Sequence, residues 1–239
     1  MHKIEITLTP DELNRIPAKD QTIVMIDTLR ASTTIVTALA NGARGVIPFS
    51  TRSELEEYYR ADPRPDYLLC GERGGRALAG FDLGNSPLSY QPRVVKNRII
   101  LLKTTNGTRI LEQLPLTNMI LIGAMVNSLA VTKRIIDLDR DVFLVCAGTQ
   151  GAFSLEDFIT AGRYSSLLQQ EGWQGDDLVI AATRIFKDNQ SFDDLINLFL
   201  HSRNGQNLLN LGYSEDIKFA GSLDLFSVVP YLKGDKIIL

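Results

Sequence analysis

Uninterrupted apolar runs and amphipathic stretches alternate along this chain. Runs at about 22–27, 45–49, 66–70, 98–103, 118–122 and 141–146 contain almost no polar residue. Such continuous runs mark strands buried on both faces, as in a parallel sheet. Between and after them, apolar residues at helical spacing predict helices over 32–41, 53–60, 154–170, 176–188 and 192–201. Gly42 follows the first as its C-terminal cap, and the Pro-rich loop 62–65 ends the second. Ser154 is a natural N-cap for the third, with Asp157 three residues on and Gly172 beyond its end. The stretch 226–239 has strand character again, and Pro230 predicts an edge position for its first half. This alternation predicts an α/β protein: three α/β/α layers around a mixed, mostly parallel sheet, with a smaller C-terminal helical lobe. Residues 1–174 are expected to form the core, and 175–239 a smaller subdomain packed on it and closing over its rim.

The polar residues at the strand ends carry the candidate chemistry. In Ile23-Val-Met-Ile-Asp27 an apolar strand stops at a carboxylate, and Arg30, Ser32 and Thr33 follow as a helix starts. Ligands of open α/β sheets bind outside the carboxyl ends of the strands. A carboxylate there can hold a divalent cation, and an Arg with a helix N-terminus can hold an anion. Four more acids sit in comparable places: Glu72, Asp82, Glu156 and Asp157. Mg²⁺ takes one or two carboxylates plus waters and substrate oxygens, so only some of these five are ligands. Each has a structural alternative. Asp27 has a salt bridge to Arg30, Glu72 an ion pair to Arg73, and Glu156 and Asp157 a capping role favoured by the helix dipole.

Three glycine-bearing loops at strand ends add anion-binding candidates. Lys103-Thr-Thr-Asn-Gly-Thr108 suits a backbone nest around an oxyanion, built from Thr104, Thr105, Asn106, Gly107 and Thr108 with charge from Lys103. Its alternative is an ordinary Asn-Gly turn, but the following residues read as helix rather than strand. Gly71-Glu-Arg-Gly-Gly75 offers Arg73, and a third loop spans 147–151. The connection 71–97 is anomalously long and contains Phe81, Leu83 and Leu88, which marks a packed, functional loop. Together these features point to a metal-assisted site for an anionic substrate such as a phosphate ester.

Composition narrows the reading. A formal net charge of −3 argues against a nucleic-acid binder. No run is long enough for a membrane span, and the N-terminal residues lack signal-peptide character. Cys70 and Cys146 each end a strand-like run, so two reduced thiols in a cytoplasmic protein are expected. With only two histidines, His2 and His201, and no Cys-x-x-Cys, zinc is disfavoured. The P-loop and dinucleotide fingerprints are absent. Asp27-Thr-Leu29 is superficially similar to the haloacid-dehalogenase strand end, but Leu29 stands where that motif needs a second acid.

Taken together, Ile26-Asp-Thr-Leu-Arg-Ala-Ser-Thr-Thr34, Gly71-Glu-Arg-Gly-Gly75, Gly80-Phe-Asp-Leu-Gly-Asn-Ser-Pro87, Thr104-Thr-Asn-Gly-Thr108, the stretch from Cys146-Ala-Gly148 to Phe153-Ser-Leu-Glu-Asp157, and Asp216-Ile-Lys-Phe-Ala220 with Asp224 and Val228-Val-Pro230 resemble the 2-phosphosulfolactate phosphatase family over nearly the whole chain. Thr28 is a small departure, where an aliphatic residue is more usual. The resemblance implies a Mg²⁺-dependent phosphatase that converts 2-phospho-3-sulfolactate into 3-sulfolactate and phosphate, a step of coenzyme M synthesis in methanogens. On this reading Asp27, with Glu72 or Glu156, holds Mg²⁺. Arg30, Ser32 and the 104–108 loop neutralise the phosphate. The nucleophile is either Asp27 itself or a metal-activated water. Arg73, Arg76 and Lys103 are the cations available for the carboxylate and sulfonate of this small phospho-sulfo-carboxylic acid. Gln206, Asp216 and Asp224 could reach the site from the lobe, or serve as turn and cap residues. A homodimer is the base-rate expectation. A phosphatase for another small phosphorylated acid and a non-catalytic anion-binding protein remain as alternatives.

Overall fold

The computed structural model describes residues 2–17, 20–104, 110–111, 114 and 118–239. Its strands are β1 (Lys3–Thr7), β2 (Thr22–Ile26), β3 (Gly45–Phe49), β4 (Tyr67–Arg73), β5 (Arg76–Ala77), β6 (Ile99–Lys103), β7 (Met119–Gly123), β8 (Val142–Cys146), β9 (Gln174–Gly175), β10 (Tyr231–Lys233) and β11 (Lys236–Ile238). Its helices are α1 (Ala31–Ala40), α2 (Arg52–Ala61), α3 (Pro92–Val95), α4 (Ser128–Leu138), α5 (Leu155–Gln170), α6 (Asp177–Asp188), α7 (Phe192–His201), α8 (Arg203–Asn210) and α9 (Ser214–Gly221). Among the described residues no helix is long and apolar enough to cross a membrane.

The sheet order is β5-β4-β6-β3-β11-β10-β7-β2-β8-β1-β9. Two parallel groups, β4-β6-β3 and β7-β2-β8-β1-β9, are joined by the antiparallel hairpin β10–β11. Tyr231 pairs with Leu121 on one side of that hairpin, and Ile237 with Val46 on the other. The C-terminal strands are therefore central, which corrects the edge position expected from Pro230. Pro230 lies just before β10, so its missing N–H interrupts no ladder, and its carbonyl accepts from the Ile122 N–H at 2.9 Å.

Strand alternation distributes the core to both faces. Ile23, Met25, Ile100, Leu102, Ile120 and Ile122 pack with α1 on one face. Val24, Ile26, Leu121 and Leu144 pack with α4, α5 and α6 on the other, where α2 covers Ile47, Ile99 and Leu101. A separate cluster brings Leu195, Phe199, Leu208 and Ile217 of α7–α9 onto Leu29, Met125 and Ile159. This is the small C-terminal helical lobe, and it sits over the carboxyl ends of β2 and β7. Of the chain beyond 174, α6 belongs to the helical layer and β10–β11 to the sheet. Residues 192–221 make the lobe.

The hairpin gives a stability prediction. Ile237 is fully buried, while its neighbour Ile238, on the opposite face, is half-buried. Ile237→Ala should cost about 2–5 kcal/mol and Ile238→Ala clearly less, read as denaturant midpoints at constant slope. Equal costs would mean that the hairpin does not anchor the two halves as described.

Candidate active site

Parallel pairing fixes where the central loops meet. Ile26 is in register with Gly123 of β7 and Cys146 of β8, so three strand ends lie side by side. Asp27 follows at once and is buried. Its Oδ1 accepts from the Ala31 N–H at 3.1 Å, and its own N–H donates to Ser32 Oγ at 2.9 Å. The peptide bond between Leu29 and Arg30 is cis. Ser32 Oγ also donates to the Met25 carbonyl at 3.3 Å, and Thr33 Oγ1 to the Thr28 carbonyl at 2.8 Å. Both hydroxyls, candidates for holding an anion, are buried within the loop and bonded to its main chain.

Arg30 does not pair with Asp27. Its Nη1 donates to Asp216 Oδ2 at 2.6 Å and its Nη2 to the Gly75 carbonyl at 2.7 Å. The guanidinium lies 4.5 Å above the Tyr213 ring. Glu72 is buried nearby, and its Oε2 accepts from the Gly75 N–H at 2.7 Å. Gly75 has a positive φ of 88°, a conformation that favours glycine, and it lies against Leu211 and Asn207 of the lobe. Lys103 Nζ donates to the Glu72 carbonyl at 3.0 Å.

Asp157 binds loops together. Its Oδ1 accepts from the Thr28 N–H at 2.8 Å and its Oδ2 from the Gly148 N–H at 3.1 Å. Its N–H donates to Ser154 Oγ at 3.3 Å, the cap read from the sequence. Glu156 is buried beside it, in hydrogen-bonding reach of Ser154 and Ser202.

A pocket of about 110 Å³ opens between these loops and the lobe. Asp27, Glu72, Arg30 and Thr104 line it, joined by Gly74, Gly75 and the amides of Asn85, Gln150, Asn204 and Asn207. The structure thus brings Asp27, Arg30, Glu72 and Thr104 to one cavity. Ser32, Thr33, Lys103, Glu156 and Asp157 stand around it without lining it. Asp82 and Arg73 stand apart: Asp82 is exposed and bonds β4 at the Leu69 N–H, 2.8 Å, while exposed Arg73 pairs across the β4–β5 turn with Arg76. Thr105, Asn106, Gly107 and Thr108 lie outside the described residues. Of the three lobe residues considered, Asp216 reaches the site through Arg30. Gln206 bonds the Leu200 carbonyl, and Asp224 caps α4 at Ser128 and Leu129 while pairing with Arg163. None of the four amides is singled out by residue type, because Asn and Gln carry no charge. Asn85 lies within the Gly80–Pro87 motif and Gln150 within the 147–151 loop, whereas Asn204 and Asn207 fall in no motif.

Burial raises the carboxyls of Asp27, Glu156 and Asp157, and neighbouring carboxylates add to the effect at Asp27 and Asp157. Burial pushes the Asp27 carboxyl up to about 7, aided by the charges of Glu72 and Glu156 and opposed by the Ala31 N–H and Arg30. Burial likewise raises Glu156 and, with the charges of Glu156 and Asp27, lifts Asp157 well above the usual range. A carboxyl whose folded pKa exceeds its unfolded value stabilises the fold below that unfolded value. The contribution disappears as pH rises through the folded pKa. In metal-free buffer, Asp27→Asn should therefore gain stability relative to the parent between pH 5 and pH 8, by at most a few kcal/mol. Melting curves at the two pH values check this, and a constant difference between the proteins would contradict the raised pKa.

The sequence matches the family model for 2-phosphosulpholactate phosphatase over residues 7–235. Three similar proteins are each named probable 2-phosphosulfolactate phosphatase. That of Caldanaerobacter subterraneus subsp. tengcongensis is 40% identical over 226 residues, covering 94% of this chain and 93% of the relative. That of Thermosynechococcus vestitus is 40% identical over 245 residues, covering 99% and 98%. That of Thermotoga maritima is 40% identical over 223 residues, covering 93% and 94%. With a family match across nearly its full length, this chain belongs to the 2-phosphosulpholactate phosphatase family.

Proposed function

We propose that this chain is a Mg²⁺-dependent phosphatase that hydrolyses 2-phospho-3-sulfolactate to 3-sulfolactate and phosphate. The observation that carries the reading is the pair of buried carboxylates, Asp27 and Glu72, in one pocket with Arg30. Among the described residues Arg30 is the one base lining that pocket, and Asp216 already balances its charge. A substrate with several negative charges entering beside two carboxylates needs a further cation.

The donor set fits Mg²⁺, which favours hard oxygens and an incomplete protein cage. Asp27 and Glu72 would hold it, with the Asn85 amide as a neighbour whose Oδ1 is buried and has no hydrogen-bond partner. Among the described residues no group of three or more His, Cys, Asp or Glu side chains is placed to hold a metal, so waters and substrate oxygens would complete the shell. Bound there, the ion would act as a Lewis acid and lower the pKa of a water.

The chain's own groups bind and orient. Arg30 presents its remaining N–H donors to the phosphoryl oxygens. Asn204, Asn207 and Gln150 supply neutral donors for the acid end of the substrate, in place of the exposed Arg73 and Arg76. In the hydrolysis the P–O ester bond breaks, the attacking oxygen stays on phosphorus, and a proton ends on the C2 hydroxyl of sulfolactate. Attack by water gives phosphate in one step, whereas attack by Asp27 would first form an aspartyl-phosphate that water then hydrolyses, freeing the carboxylate and phosphate. Two buried free thiols, Cys70 and Cys146, suit a reducing cytoplasm. A homodimer is the commonest assembly for such an enzyme, and sulfolactate would feed coenzyme M synthesis where that cofactor is made.

The test is phosphate release from 2-phospho-3-sulfolactate with Mg²⁺ and with EDTA, beside phospholactate and phosphoglycerate. Mg²⁺-dependent turnover that favours the sulfonate is expected, and Asp27→Asn should lower it by about 10²-fold or more without unfolding the protein. Turnover of the controls alone would keep a phosphatase and discard this substrate. A folded Asp27→Asn with full activity would remove Asp27 from the chemistry.

A further inference from the structure

The Arg30–Asp216 ion pair is buried on both sides, each side chain 3% exposed. The second oxygen of Asp216 is also engaged, accepting from Ser86 Oγ at 2.6 Å. Several parts of the chain therefore meet around one ion pair: the β2–α1 loop through Arg30, the β4–β5 turn through the Gly75 carbonyl, the stretch after β5 through Ser86, and α9 through Asp216. Arg has five N–H donors, and the Asp216 and Gly75 contacts use two. Arg30 also lines the pocket with Asp27, three residues earlier in the chain, and its charge acts on that carboxyl. Opposite charges in one cleft attract. The guanidinium is nevertheless paired with Asp216, and it is the weakest of the influences on the Asp27 carboxyl.

We infer that Asp216 is a positioning residue, which holds Arg30 towards the phosphoryl oxygens and keeps it from closing onto Asp27, so that Asp27 stays available to a divalent cation. This rests on the phosphatase reading above. It assigns the lobe a share in the site: α9 supplies the group that keeps the anion-binding and cation-binding functions of the rim apart. A merely structural pair would hold the lobe down and leave both affinities unchanged in any variant that folds.

The two roles separate in a double-mutant cycle. Asp216→Asn, Arg30→Gln and the combined variant would be titrated calorimetrically with MgCl₂ alone, then with inorganic phosphate at saturating Mg²⁺. Thermal unfolding would confirm the fold of each. Asp216→Asn should lose about tenfold in both affinities, because the released Arg30 pairs with Asp27. Arg30→Gln should lose phosphate affinity and keep Mg²⁺ affinity. The combined variant should recover Mg²⁺ affinity and leave phosphate binding weak. Recovery of a lost affinity by a second substitution is not a result that structural damage produces. If Asp216→Asn does not fold, Ser86→Ala loosens Asp216 by one hydrogen bond and should shift both affinities in the same direction by a smaller factor. Parent-like Mg²⁺ affinity in Asp216→Asn or in Ser86→Ala, or a combined variant no better than Asp216→Asn, would overturn the inference alone. A parent protein that binds neither Mg²⁺ nor phosphate would overturn the phosphatase reading and this inference with it.

Discussion

The structure turns on a carboxylate that the fold buries and does not neutralise. Asp27 follows a strand whose five residues are all buried, and it is itself 6% exposed. Desolvating an anion costs several kcal/mol unless something compensates. The Ala31 N–H at the start of α1 compensates in part, aided by the positive end of the helix. Glu72 and Glu156 work in the opposite direction. The carboxyl is left with two ways to be stable: it keeps a proton to about pH 7, or it takes a cation. A divalent ion beside it would relieve the carboxylate.

Holding several acids so close requires a rigid frame, and the architecture supplies one from distant parts of the chain. β7, β2 and β8 end in register, which sets the loops after them side by side. Asp157 then ties two of those loops through the Thr28 and Gly148 N–H groups. The lobe adds a ceiling: the Asn204 amide donates to the Leu29 carbonyl, and Leu208 packs with Leu29 in the lobe's cluster. Gly75, at its positive φ, sets the β4–β5 turn against Leu211 and Asn207 of the lobe. Rigidity of this kind matters more for an electrostatic site than for a packed core, because fixed dipoles act without reorganising when charge moves.

What could be read from the sequence follows from the range of each interaction. The six buried strands announced themselves because parallel strands covered on both sides are apolar throughout. Several short elements did not: β1, α8 and α9 are eight residues or fewer, too short for a pattern to stand out, and β5 and β9 are two residues each. Asp27, Arg30, Glu72 and Thr104 were legible because strand ends deliver side chains to one rim. Ser32 and Thr33 turn to main-chain carbonyls for a local reason. A hydroxyl beside a helix start can face a ligand or turn back to the main chain, and residue type does not distinguish the two. Asp82 and Arg73 occupy loops of the right kind, but both are exposed, the first bonded to the outside of β4 and the second in the β4–β5 hairpin. The partner of Arg30 lies 186 residues away, beyond the reach of any local pattern.

That distant partner is the feature a stability argument alone would not anticipate. A chain selected only for low free energy would pair Arg30 with Asp27, three residues off and in the same cavity, with no long loop to close. The fold instead carries a second buried acid on α9 and satisfies it completely, with Arg30 on one oxygen and Ser86 on the other. Asp27 is left with only partial compensation and faces the pocket. Local interactions that disagree with the most favourable local pairing are expected where function requires the disagreement. Here the disagreement produces a cavity in which a carboxylate and a guanidinium stand together without cancelling, which is the arrangement needed to bind a cation and an anion at once.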